Sequence, residues 1–273
     1  MAVATVINVI LDVLFIVHLG WGVKGGAAAT VIAQFVSMVI ALVPLFKSKI
    51  FTWDLSYWRL EASLLKQMIN LWLPMFVNSA VITIGGSFVS RNVNAIGPYF
   101  TAGISSGTKI FTMLESLIMA IQTGLSVFIG QNLGAGLKDR VKRGQHQVVL
   151  FGLTLAFVLN ILVQSLAPVL VGMFLSPSDP LYAQTLHVAV ADVRVITLGM
   201  FIMAPMYLYR IAIQTLGHPK YPMYAGFLQL LARVFSVSVL PVFIGEYGYY
   251  VATVLAWVIT LPVVMIPYYR YLK

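Results

Sequence analysis

Apolar residues run through this chain in blocks of about twenty, separated by short polar stretches, and that spacing dominates its pattern. A hydrocarbon core about 30 Å thick needs about 20 helical residues to cross it. Windows of that length predict helices over 1–18, 25–46, 66–90, 98–129, 144–174, 182–213, 222–244 and 248–270. The fold class is therefore all-α: a polytopic membrane helical bundle of about eight transmembrane helices. Residues 2–11 have neither a positive leading stretch nor a small-residue cleavage pattern, so the first apolar block is read as a helix.

The polar residues that interrupt these blocks carry the candidate chemistry. Asp12 lies within Asn8-Val9-Ile10-Leu11-Asp12-Val13-Leu14-Phe15-Ile16. A carboxylate in hydrocarbon costs several kcal/mol unless it is paired, protonated or facing water, which makes Asp12 a candidate for ion or proton coupling. The plainer alternative is an acid at a helix end reaching headgroup water. Glu115 and Lys109 are six apart on one predicted helix, about 120° around its axis, so each needs another partner. Glu115 is read as a cavity acid or as the counterion of Arg194 or Arg233. Lys109, Arg194 and Arg233 are the candidate charge partners within helices, and Arg194 also suits a side chain snorkelling to the outer interface. Asp192, on nearly the opposite helix face from Arg194, is assigned no role. Pro74, Pro168, Pro205 and Pro262 fall inside apolar spans and predict kinks. Met200, Met203 and Met206 suit core packing better than a pocket wall.

Charge adds topology. The net charge of +9 comes from 17 Lys and Arg against 8 Asp and Glu. The basic residues sit mostly in short connections instead of on a soluble face, which excludes nucleic acid as a partner. Lys47, Lys49, Arg59 and Lys66, then Lys138, Arg140, Lys142 and Arg143, then Arg210 and Lys220, and finally Arg270 and Lys273 follow even-numbered helices, whereas the alternate connections hold only Lys24 and Arg91. The positive-inside rule then predicts both termini in the cytoplasm of a plasma (inner) membrane protein. Residues 47–66 mix Trp, Tyr and Phe with charges and read as a cytoplasmic amphipathic connector. It divides residues 1–46 from a six-helix portion, 67–273. There is no Cys, and His18, His146, His187 and His218 are scattered, so neither a zinc site nor a membrane-embedded enzyme is indicated. Gly130–Gly136 and the basic Lys138–Arg143 read as a cytoplasmic turn, without the Gly-Lys-Ser/Thr of a nucleotide loop.

Several motifs in order carry a resemblance. Asn8-x-x-x-Asp12-x-Leu14-Phe15-Ile16 precedes Gly22-x-x-Gly25-Gly26-Ala27-Ala28-Ala29-Thr30-x-x-Ala33-Gln34. Leu73-Pro74, Gly130-Gln131-Asn132-Leu133-Gly134-Ala135-Gly136 and Leu216-Gly217-His218-Pro219-Lys220-Tyr221-Pro222 follow. Together they resemble the multidrug and toxic compound extrusion (MATE) family over essentially the whole chain. The resemblance implies a partial MATE/MOP-type fold: residues 1–46 match the last two helices of the family's N-lobe and 67–273 its C-lobe, with the first four helices absent. It implies secondary active efflux of amphipathic or cationic small molecules by Na⁺ or H⁺ antiport, impaired in a chain without the missing N-terminal portion. In resembling prokaryotic members the positions of Asn8, Asp12 and Thr30 form a polar coupling site. No cofactor is implied beyond the coupling ion, and no metal site other than Na⁺ at Asp12. Hydrogen bonding between helices is the competing role for Asn8 and Thr30. A lipid-linked polysaccharide flippase of the same superfamily is the alternative function, because Lys109, Arg194 and Arg233 would suit an anionic substrate. Asp12, Glu115 and Asp192 offset them one for one.

Overall fold

A computed structural model describes residues 2–47 and 61–272, so most of the expected connector, 47–66, lies outside the described residues. The described residues are helical almost throughout. Helix α1 (Ala2–Asp12) continues as a π-helical segment, Val13–His18, and is followed by α2 (Gly22–Lys47), α3 (Ala62–Asn94), α4 (Pro98–Gly134) and α5 (Lys138–Gly172). Then come α6 (Tyr182–Leu198), α7 (Met200–Thr215), α8 (Lys220–Ile244) and α9 (Tyr247–Tyr271). Six of these are long and apolar enough to cross a membrane, and α6 with α7 makes a seventh, bent by 50°. Val3–His18 is apolar but shorter.

The chain divides into two compact units, Met1–Ala62 and Ser63–Lys273. The first is built on the antiparallel approach of α1 and α2. Its buried contacts on α2 are Gly25, Ala29 and Ala33, one every four residues. Small residues at that period let helix backbones approach closely in lipid, where no hydrophobic force separates protein from solvent. A methyl group on Gly25 would stand 3.0 Å from Phe15 Cβ and 3.1 Å from Trp21 Cβ, and the Phe15 and Trp21 rings stack at 5.0 Å beside it.

In the second unit a similar device joins α4 to α6. A Cβ on Gly103 would meet Val188 at 2.6 Å, and one on Gly107 would meet Asp192 Oδ2 at 2.5 Å. The core lies among α4, α5, α7 and α9, where Ile118, Leu125, Ile129, Val141, Met200, Met203, Met206 and Trp257 are packed together. The three methionines are thus fully buried packing residues.

Two differences from the sequence expectations concern helix ends. Helix α4 runs to Gly134 and α5 starts at Lys138, so Lys138–Arg143 form the first turns of a helix instead of a loop. Hydropathy marks depth in the bilayer, while Lys and Arg are good helix formers. The turn itself needs only Ala135–Leu137. Gly136, at φ +75°, caps α4 by giving its N–H to Leu133 O while Leu137 N–H reaches Asn132 O. Residues 182–213, expected as one helix, break at Gly199, not at Pro205. A side chain on Gly199 would strike Val254 at 2.6 Å and Trp257 at 2.9 Å, so close packing on α9 fixes a glycine there.

Candidate functional site

In the first unit the three residues expected to form a polar site do come together. Asn8 and Asp12 lie one turn apart on α1 and are both half-buried. Asn8 Nδ2 donates to Thr30 Oγ1 at 3.5 Å, and Thr30 Oγ1 donates to Gly26 O at 2.9 Å. A Cβ on Gly26 would stand 3.8 Å from Asp12 Oδ1. Glycine at 26 therefore leaves the carboxylate clear space against α2. Asp12 is also the last α-helical residue before the π-helical turn, a local widening frequent at functional sites. Among the described residues the only ion pair is Lys142–Asp139 at 3.5 Å, so Asp12 has no basic partner.

In the second unit a cavity of about 650 Å³ opens among α3, α4, α6, α7, α8 and α9. Helix α4 presents Thr101, Ser105, Thr108, Thr112 and Glu115 to it. Those spacings of four, three, four and three put a polar stripe on one face of an otherwise apolar helix. Thr101 and Thr112 return their hydroxyl protons to backbone carbonyls one turn back, leaving oxygen lone pairs toward the space. The charged lining residues are Glu115, Asp192 and Arg233, and Tyr207, Tyr249, Tyr250 and the stacked pair Phe111–Trp257 supply aromatic wall.

The charge partners differ from expectation. Glu115 Oε1 accepts a 2.6 Å hydrogen bond from Tyr207 OH and forms no ion pair with Arg194 or Arg233. Arg194 donates to Gln164 O at 3.1 Å while Gln164 Nε2 donates back to Arg194 O at 3.0 Å, so it clamps α6 to α5. Lys109 pairs with no acid; its Nζ lies 5.6 Å from the centre of the Phe174 ring. Of the three candidate partners only Arg233 reaches the cavity. Arg210, expected in a connection, sits inside α7 and donates to Gln229 Oε1 at 2.9 Å.

Asp192 is the residue that sequence reading left without a role. It is 5% exposed, it lines the cavity, and its Oδ2 has no hydrogen-bond partner. The signal was present in two forms: the α4 stripe, and Gly103-x-x-x-Gly107, which marks a face prepared for another helix.

An acid-bearing helical hairpin and a bundle of long apolar helices around a mixed-charge cavity fit a multi-pass membrane protein. The MatE family model matches residues 74–238, more than half of the chain, and the chain belongs to that family. This is a family of transporters, not of enzymes. The probable multidrug resistance protein YoeA of Bacillus subtilis is 27% identical over 192 residues, 66% of this chain and 41% of its own length. The multidrug export protein MepA of Staphylococcus saprophyticus is 25% identical over 64% of this chain and 39% of its own. A FAD transporter of Shewanella oneidensis is 26% identical over 52% and 33%. Among solved structures, a MOP superfamily transporter from Pyrococcus furiosus superposes with a TM-score of 0.88 at 16% identity, covering 99% of this chain and 61% of that one. The Vibrio cholerae MATE transporter VcmN gives 0.87 at 18% identity, covering 99% and 60%. The chain thus spans less than two thirds of the length of these relatives.

Proposed function

We propose that the chain belongs to a secondary active efflux system that expels amphipathic or cationic small molecules in exchange for Na⁺ or H⁺. The observation that carries this reading is Asp12, held within an apolar hairpin beside Asn8 and Thr30, with only a glycine facing it at position 26 and no cationic partner among the described residues. A carboxylate so placed is charged or neutralised reversibly at low structural cost, and either a proton or a hard cation does this. Asn8 spends its N–H on Thr30, which leaves its carbonyl oxygen for a cation alongside the Asp12 oxygens. The cavity of the second unit is assigned to the transported compound. The names of YoeA and MepA, a multidrug resistance and a multidrug export protein, support this substrate class. We assign the full cycle to this chain together with the further length its relatives carry, and its location to the plasma membrane with both termini cytoplasmic.

The test is drug resistance in an efflux-deficient bacterial host, with the chain joined to the further length that a relative carries. Asp12→Asn is expected to abolish resistance and gradient-driven ethidium efflux while membrane insertion is unchanged. Undiminished efflux in that variant removes Asp12 from the mechanism.

A further inference from the structure

Arg233 is the one cationic group lining the second unit's cavity, and no described residue hydrogen-bonds it or forms an ion pair with it. Its Nε is buried without a partner, whereas Glu115 is engaged by Tyr207. Arg210, the other guanidinium nearby, is occupied by Gln229 and lies 5.8 Å from the centre of the Tyr207 ring, so it does not compete for the same role. A guanidinium presents a planar fork of donors that matches a carboxylate or phosphate bidentately. The same cavity is lined by the edges of the stacked pair Phe111–Trp257 and by Tyr207, Tyr249 and Tyr250, so its wall is largely aromatic. The cavity, about 650 Å³, is in the size range of small-molecule sites.

We propose that this cavity takes aromatic compounds that carry a carboxylate or phosphate, with the oxyanion held by Arg233 and the ring lodged against Phe111 and Trp257. The inference rests on the reading of this cavity as the compound-binding space and is separate from ion coupling at Asp12. Glu115 and Asp192 set its selectivity: the oxyanion must dock close to Arg233, because both acids repel it elsewhere.

Binding of 2-naphthoate and of 2-naphthylmethylammonium is measured calorimetrically on the purified chain in phosphatidylcholine nanodiscs. Arg233→Gln is expected to weaken naphthoate about tenfold or more, the scale of a lost charge-assisted pair, and to leave the ammonium probe bound as tightly or more tightly. Arg233→Lys retains the charge but not the fork and is expected to lose about threefold. Glu115→Gln removes a nearby negative charge and is expected to tighten naphthoate; this variant decides the matter if the Arg233 variants do not fold. Naphthoate affinity that survives Arg233→Gln, falls in parallel with ammonium affinity, or fails to rise in Glu115→Gln overturns the proposal. Efflux lost in Asp12→Asn speaks to coupling, and naphthoate affinity speaks to the cavity, so the two readings fail separately.

Discussion

Each unit of the molecule holds an aspartate in an apolar helix beside a glycine on a neighbouring helix, and the two pairs are packed in opposite ways. Asp12 is half-buried with room before Gly26, whereas Asp192 is 5% exposed and pressed against Gly107. In the first unit the tight approach of α1 and α2 is made by Gly25, Ala29 and Ala33, one position round from the acid. In the second the tight approach and the acid coincide: the glycine that lets α6 reach α4 is the one Asp192 rests on. A small residue thus does two different jobs. At Gly26 it keeps a carboxylate accessible, and at Gly107 it makes burying one sterically feasible.

The largest expected effect follows from that difference. Gly107→Ala places a methyl group 2.5 Å from Asp192 Oδ2 and 3.3 Å from Ala189 O, so either the aspartate or the whole of α6 must move. Overpacking of this kind costs about 1–3 kcal/mol, read as a lower midpoint of thermal unfolding in detergent by tryptophan fluorescence. Gly26→Ala meets its nearest atoms at 3.5 and 3.8 Å, ordinary contact distances. Its steric cost is expected to be near zero, and the gain in helix propensity, about 1 kcal/mol, to show instead. Equal destabilisation by the two substitutions would erase the contrast between the units.

Next in size is the polar pairing of each site. Tyr207→Phe removes the 2.6 Å donation to Glu115, and because Glu115 faces the cavity the expected loss is about 1–1.5 kcal/mol. Thr30→Val removes a 3.5 Å contact with Asn8, at the limit of a hydrogen bond, and a 2.9 Å donation to Gly26 O of its own helix, a local bond whose loss leaves a helical carbonyl still able to bond within the helix, and is expected to change stability by less than about 0.5 kcal/mol. The same unfolding measurement ranks them. A loss in Thr30→Val as large as in Tyr207→Phe would mean that the first site is as firmly built as the second.

What the sequence made legible follows the same division. Asp12 was readable from its apolar surroundings and Asn8 from the i and i+4 spacing that fixes a shared face, while Thr30 came from the family resemblance; the short loop at Leu19–Trp21 is what brings α2 alongside. The cavity was not readable, because its charged groups come from α4, α6 and α8, brought together by tertiary packing that spacing does not encode. Glu115 was matched to an arginine because opposite charges are the obvious partners, while in the structure its hydrogen bond comes from Tyr207 on α7, a neutral donor whose approach depends on helix packing. The α4 stripe from Thr101 to Glu115 was visible at helical period and would have named the cavity face. The break at Gly199 left no trace in hydropathy, since Leu198-Gly199-Met200 is as apolar as its surroundings, and only its contact with Val254 and Trp257 reveals it.

The smallest expected effect tests whether the connections are as settled as the spans. His218 follows the φ +86° turn at Gly217 and stacks on Tyr271 at 3.7 Å between ring centres. Partial burial, with the Lys220 charge adding to it, holds the imidazole pKa below its ordinary value. The folded chain therefore binds fewer protons at this site than the unfolded chain, which titrates near 6.5. Stability from this residue is fully present above about pH 6.5 and is lost as the pH falls from there through the lower folded pKa. The unfolding midpoint is expected to decline slightly between pH 7.5 and pH 5, and to decline less in His218→Gln, which keeps polarity but cannot take the proton. An identical pH profile in the two proteins would mean that the stacked ring accepts its charge without loss of packing, and that this turn, unlike the glycine contact at Asp192, tolerates rearrangement.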